Sequence, residues 1–287
     1  MIIIKLFFMK NILSISMILM CLNCSSYSQS ILNSTKNKEL LHAAKSGDFI
    51  KVKDLVAKGA NINYKVRYLD RDATPLKEAL ESGNFELIKF LVEKGADIDR
   101  ESDSLFILQS AVWKGNLEIV KYLIDHGSYL DKSCENSLII AAVNNNDVLQ
   151  YLINKGACVI TKDNDGNTPM FRAVELQRLN NMELLYKNGV KVDTANNYGR
   201  TPLHIASMIG NVEVSRWLIK HGASVNAMDQ NNETPLHYAV KKNKINIIRL
   251  LISNLADINI KNKYGERPID IAVAENYVEA AKLLKNK

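Results

Sequence analysis

Between residues 199 and 226, apolar positions recur at intervals that fit two short helices. In the first helix they are three residues apart, at Leu203, Ala206 and Ile209. This spacing places the three side chains on one helix face. Thr201 and Pro202 precede them, a pair typical of a helix start, because a capping residue is followed by a residue that has no N–H to satisfy.

A second apolar stripe follows the first after a glycine. Val214, Trp217 and Leu218 share one face of the second predicted helix. Gly210 and Gly222 are predicted to end the two helices, since glycine readily adopts the left-handed conformation that closes a helix. One such hairpin cannot bury both of its sides, and it therefore needs neighbouring hairpins.

The neighbouring hairpins are visible as a repeat of 33 residues. The apolar residue that follows the proline or its equivalent recurs at this interval, at Met170, Leu203, Leu236 and Ile269. Thr-Pro-Leu-His occurs at residues 201–204 and again at 234–237. A 33-residue period with this motif resembles the ankyrin-repeat family. The resemblance implies a β-turn finger and two antiparallel helices in each repeat, with the repeats stacked side by side.

We therefore expect an all-α ankyrin-repeat solenoid of about eight helix-turn-helix repeats with β-turn fingers, occupying residues 29–287. The repeats are predicted at approximately residues 36–63, 72–99, 104–131, 134–160, 166–193, 199–226, 232–259 and 265–287. Glycine is replaced at three helix ends, by Gln177, Asn243 and Leu255.

The first 28 residues have the pattern of a signal peptide. Lys10 precedes an apolar run over residues 12–22, and small polar residues follow as far as Ser28. The start of translation is predicted at Met9 and cleavage after Ser28, while lipidation at Cys24 or an uncleaved anchor are the alternatives. Together with the repeats, this pattern resembles an ankyrin-repeat protein of bacterial, exported type. We expect a periplasmic or secreted location, or a membrane-anchored lipoprotein if Cys24 is lipidated.

Charge and histidine positions provide no indication of catalysis. The net charge of +6 is modest for 287 residues, and no basic block indicates nucleic-acid binding. The resemblance implies that His204 and His237 join neighbouring fingers by hydrogen bonds. His126 and His221 precede helix-ending glycines. We expect no catalytic residue, no metal and no cofactor.

Two cysteines, Cys134 and Cys158, remain after removal of the predicted signal. An exported protein could form a disulfide bond between them. In the repeat register, however, neighbouring repeats are separated by about one helix diameter, roughly 10 Å, which exceeds the reach of a disulfide. We therefore expect no disulfide bond between these two cysteines.

The remaining candidate for function is the surface formed by the fingers and the first helix of each repeat. The resemblance implies that this concave side recognises partners. Residues of the types that dominate binding energies occur at these positions, namely Trp113, Tyr198, Arg200, Met208 and Tyr264. The alternative for Trp113 and Met208 is packing on neighbouring helices.

The predicted function is a non-catalytic interaction module or scaffold that binds a protein partner. The second hypothesis is a periplasmic inhibitor or stabiliser of one enzyme, and an enzyme is the weakest hypothesis. We expect a monomer that binds no nucleic acid and does not insert into the membrane once the signal is removed.

Overall fold

The computed structural model describes residues 33–67, 72–98, 104–128 and 145–285. These residues form 15 helices and two short strands, so the predicted all-α ankyrin-repeat solenoid is confirmed. The predicted signal over residues 1–28, with Met9 and Cys24, lies outside the described residues, as does Cys134. The chain divides into two compact units, Met1–Ser110 and Ala111–Lys287.

The first unit contains two helix pairs and a hairpin. Its helices are α1 over residues 33–46, α2 at Phe49–Ala57, α3 at Pro75–Ser82 and α4 at Phe85–Glu93, and α5 at Ser104–Lys114 begins in it. The strands β1, Val66–Arg67, and β2, Asp72–Ala73, pair antiparallel with Val66 opposite Ala73. Lys65 Nζ lies 2.7 Å from a carboxylate oxygen of Asp72, which joins the base of the hairpin.

The core of the first unit is formed by apolar side chains of its helices. Leu40 and Leu87 are fully buried, and Leu76 nearly so. Asn84 caps α4 by accepting the Leu87 N–H, and its amide also donates to the carbonyl of Gly47 in the preceding repeat. One side chain thus satisfies a helix end and links two repeats.

The second unit is a stack of helix pairs. After α5 its helices are α6 at Leu117–Asp125, α7 at Asn146–Asn154, α8 at Pro169–Glu175, α9 at Leu179–Lys187, α10 at Pro202–Ile209, α11 at Val212–Lys220, α12 at Pro235–Lys241, α13 at Ile245–Ser253, α14 at Pro268–Ala274 and α15 at Val278–Lys285. The inner helix α10 packs against α8 on one side and α12 on the other, and α11 packs against α13. The apolar side chains of each repeat are therefore buried mainly against the neighbouring repeats.

The helix ends in the second unit require left-handed backbone, as the glycine spacing predicted. Gly210 has φ +93° and Gly222 has the same value. Gln177 and Leu255, which stand where other repeats have glycine, also have positive φ, +58° and +65°. The tertiary stack imposes this conformation on residues that disfavour it, at a cost of roughly 1–2 kcal/mol each.

Replacing Leu255 with glycine is expected to stabilise the protein by about 1 kcal/mol, because the side chain is 86% exposed and contributes little packing. Urea unfolding of the two proteins measures the difference. The matched control is Gln177→Gly, where the gain is smaller because the Gln177 side chain accepts a hydrogen bond of 2.6 Å from Asn211. A loss of stability in Leu255→Gly would contradict the strain at this turn.

The expected absence of a bond between Cys134 and Cys158 is not tested, because Cys134 lies outside the described residues. Cys158 is disulfide-bonded in the structure. The other three cysteines, Cys21, Cys24 and Cys134, lie outside the described residues. The expectation assumed the regular spacing of intact repeats on both sides of Cys158, and the residues over which that spacing would apply, 129–144, are not among those described.

Candidate functional site

The fingers of the second unit are built on a polar residue that recurs every 33 positions, at Asp163, Asn196, Asp229 and Asn262. In each finger this side chain accepts hydrogen bonds from backbone N–H groups two and four residues later. Asp229, for example, accepts from Asn231 at 2.8 Å and from Glu233 at 2.9 Å. The side chain closes the turn and fixes the direction of the finger tip.

Backbone hydrogen bonds join neighbouring finger tips. Asn197 donates to the carbonyl of Asp165 at 2.9 Å, and Gln230 donates to that of Tyr198 at 3.0 Å. Lys263 then donates to the carbonyl of Asn231 at 2.9 Å. The four fingers therefore form one continuous row, and the side chains at their tips are held at a fixed spacing.

His204 and His237 join the base of each finger to the next repeat, as the resemblance implied. The backbone N–H of Thr201 donates to Nδ1 of His204, at 3.0 Å, and Nε2 of the same ring donates to the carbonyl of Glu233 at the same distance. Both ring nitrogens are thus used by the neutral imidazole. Burial lowers the pKa of His204 below its ordinary value of 6.5, against the opposing effects of the Glu233 carbonyl, Asp229 and Asp193.

The stability of the second unit is expected to fall as the pH drops below about 6.5. Burial also lowers the pKa of His237 in the folded protein, so the unfolded chain binds protons there first. Stability is complete above this pH, and each such histidine removes up to about 1.4 kcal/mol per pH unit below it, until the pH reaches the lowered pKa of that histidine in the folded protein. Urea unfolding at several pH values should show a weaker dependence in His204→Gln than in the exposed control His42→Gln, and an equal dependence would contradict the interpretation.

The five predicted partner-binding residues all lie in the second unit. Trp113, near the end of α5, is 59% exposed. The finger-tip residues Tyr198 and Tyr264 are 47% and 74% exposed. Arg200 and Met208 are half-buried. Among the described residues, Tyr198 and Arg200 are the one pair of these five in ring contact, with the guanidinium carbon 5.4 Å from the ring centroid.

Tyr238 is a buried residue beneath this surface that the sequence analysis missed. Its ring centroid lies 5.6 Å from the guanidinium carbon of Arg200, on the repeat that follows. Its hydroxyl donates to Asp229 at 2.8 Å, and burial together with this bond raises the pKa of Tyr238. Tyr238 stands 33 positions after Ile205, and the change from an aliphatic to an aromatic residue at one repeat position was the available signal.

Charged groups beside this cluster are paired. Glu233 is buried, and its carboxylate accepts hydrogen bonds from Lys241 and from the amide of Asn262. Arg172 bridges Asp163 at 2.8 Å and Glu175 at 2.7 Å. Burial raises the pKa of Asp163, but the hydrogen bonds from Asn167, and then the bond and charge of Arg172, outweigh it, so the pKa is lowered. The paired charges give this surface a fixed pattern of polar groups.

No metal centre is found in the described ranges. No group of three or more His, Cys, Asp or Glu side chains there could hold a metal ion. A depression of about 300 Å³ lies at the start of α9, lined by Asn146, Gln177, Arg178, Leu179, Asn180 and Asn181. In the part of the chain that the structure describes, no helix is long and apolar enough to cross a membrane.

The comparison with protein families agrees with this geometry. A model of ankyrin repeats, in three copies, matches residues 15–102, 40–136, 108–196, 184–262 and 226–287. No curated protein sequence matches the chain. Ankyrin repeats generally mediate protein–protein interaction, and proteins built from them are typically non-catalytic. The matched segments cover nearly the whole chain, which therefore belongs to the ankyrin-repeat family.

Proposed function

We propose that this protein is a non-catalytic scaffold that binds one partner protein through its finger face. The finger face is the surface formed by the finger tips and by the inner helices α8, α10, α12 and α14 of the second unit. The bonded row of fingers holds this surface in place before binding, so the partner does not have to order it.

The observation that carries the proposal is the exposure of tyrosine at two finger tips. Tyr198 and Tyr264 are 47% and 74% exposed, and neither is needed to fill the core. A large aromatic side chain left in water gains most when a partner covers it, which is why tyrosine is enriched among the residues that dominate binding. Trp113 adds a third exposed aromatic residue in α5.

We propose that the protein is exported, in the manner of a bacterial periplasmic or secreted protein. The signal-like pattern over residues 1–28 supports this location. The disulfide of Cys158 supports it independently, because disulfide bonds persist in oxidising compartments. N-terminal sequencing of the protein from its host distinguishes a start near Gln29 from a lipidated Cys24.

The second candidate function is inhibition or stabilisation of a single enzyme in the envelope. The same rigid row of fingers favours it, since a surface fixed before binding fits one partner better than many. It uses the same residues as the scaffold function and differs only in the nature of the partner.

Capture of the partner is expected to be lost when both finger-tip tyrosines are replaced, in Tyr198→Ala with Tyr264→Ala. Each side chain contributes about 2 kcal/mol or more when an interface buries it, while its removal from solvent costs little stability. The measurement compares the proteins retained from a host envelope fraction by the wild type and by the variant, with the melting temperature of each.

The matched control is Tyr186→Ala on the outer helix α9, since Tyr186 is 42% exposed and lies away from the finger tips. This variant should retain the partner. Equal loss of capture in both variants, or retention in the finger-tip variant, would show that the finger face is not the binding surface.

A further inference from the structure

Arg200 is the one residue of the finger face whose chemistry indicates what the partner presents. We infer that the partner places a carboxylate against the guanidinium of Arg200, from an Asp or Glu side chain in the bound segment. This inference rests on the proposed function and adds the chemical identity of the central contact.

The position of the guanidinium is fixed by two aromatic rings from consecutive repeats. The guanidinium carbon lies 5.4 Å from the ring centroid of Tyr198 and 5.6 Å from that of Tyr238. Tyr238 is itself held by its hydrogen bond to Asp229, and the hydroxyl of Tyr198 donates to Asp165 at 3.2 Å. Stacking of this kind immobilises the flat cation without using its N–H groups.

The N–H donors of the Arg200 side chain are unused. No acceptor of any described residue lies within hydrogen-bonding distance of them, and the Nε atom is buried without a partner. The nearest carboxylate oxygen, on Asp229, is 3.9 Å from Nε, which is too long for a hydrogen bond. The buried Nε cannot be reached from solvent, so the donors open to a ligand are the other N–H groups of the guanidinium, whose nitrogens are not among the buried atoms without a partner.

Asp229 does not itself supply the acceptor, because its nearest oxygen lies 3.9 Å from Nε and is turned to the hydroxyl of Tyr238. One oxygen accepts the backbone N–H groups of Asn231 and Glu233, and the other accepts the hydroxyl of Tyr238. The Arg200 side chain remains 38% exposed, so a partner can approach the fork from solvent.

The surrounding charges select a singly charged carboxylate. Asp229 and Asp165 lie beside the cluster, and their negative charges would repel a phosphate dianion more strongly than a carboxylate. A planar carboxylate also matches the geometry of the guanidinium, since two parallel N–H···O bonds can form at once.

The experiment selects binders from a displayed library of random linear peptides with the full chain, and then measures their affinities as synthetic peptides with amidated C-termini. We expect the selected sequences to contain Asp or Glu. Replacing that acid by its amide in the peptide, or Arg200→Gln in the protein, should each weaken binding at least about tenfold. The two changes together should cost no more than either alone.

Two further variants distinguish a binding role from a structural one. Arg200→Lys keeps the positive charge beside Asp229 but lacks the bidentate fork. It should therefore melt like the wild type but bind the acidic peptides more weakly than the wild type does. Arg216→Gln removes the same charge from the outer helix α11, where Arg216 is exposed, and should bind normally.

The results distinguish a failure of the inference alone from a failure of the proposed function. Peptides that lose affinity for Tyr198→Ala but keep it for Arg200→Gln would overturn the carboxylate and leave the finger face standing. Peptides whose affinity is unchanged by Tyr198→Ala and by Arg200→Gln would count against the inference and the proposed function alike. A selection that enriches no peptide would do the same. If Arg200→Lys and Arg200→Gln both unfold the protein, Arg200 has a structural role beside Asp229, and the inference is overturned.

Discussion

Replacing Gly199 with alanine is expected to destabilise the second unit by about 2–5 kcal/mol. Two costs combine. Gly199 has φ +75°, which an alanine adopts at a cost of roughly 1–2 kcal/mol. Its new Cβ would also lie 2.9 Å from the backbone nitrogen of Gln230 in the next finger, and such overpacking costs about 1–3 kcal/mol. Urea unfolding followed by circular dichroism measures the loss.

The control is Gly265→Ala, which changes the same turn position in the last finger. Gly265 has φ +80°, but a Cβ there would meet nothing within 4 Å. It should therefore cost only the conformational term of roughly 1–2 kcal/mol. Equal losses in the two variants would show that the close approach between fingers contributes nothing to the stability of the stack.

Leu218→Ala is expected to lower the free energy of unfolding by about 2–5 kcal/mol. Leu218 is fully buried in α11, and truncation leaves a cavity that the neighbouring helices cannot fill by moving. Because each repeat is stabilised mainly by its neighbours, hydrogen exchange should accelerate in α9 and α13 as well as in α11.

Arg216→Ala, an exposed change in the same helix, serves as the comparison for this core substitution. It should leave both the unfolding curve and the exchange rates nearly unchanged. Exchange that accelerates throughout the whole chain to the same degree in Leu218→Ala would mean that the repeats unfold as a single cooperative block.

The helix ends show which features of the backbone can be predicted from local sequence. Pro202 and Gly210 were correctly predicted as the first and closing residues of α10, because the fixed φ of proline and the freedom of glycine act within one turn. Leu255 was placed correctly only because the 33-residue period aligned it with Gly222. By itself leucine gives no indication of a positive φ.

Burial at one repeat position depends on the neighbour and not on the residue. Val240 and Val273 are 33 residues apart and occupy the same place in consecutive inner helices. Val240 is fully buried, while Val273 is 55% exposed. Since α12 packs against α14, what covers a side chain is decided by the repeat that stacks on it, which the pattern within a single repeat does not contain.

The sequence by itself determined the repeat, its period and the family, because these depend on residues close together in the chain: a proline start, three apolar positions and a turn former. It also identified Tyr198 and Arg200 as surface residues of interest. Only the tertiary structure placed Tyr238 and Asp229 beside Arg200, 38 and 29 positions away. It also showed that Cys158 is disulfide-bonded. Such contacts form when repeats stack, and no spacing rule within one repeat encodes which side chains then meet.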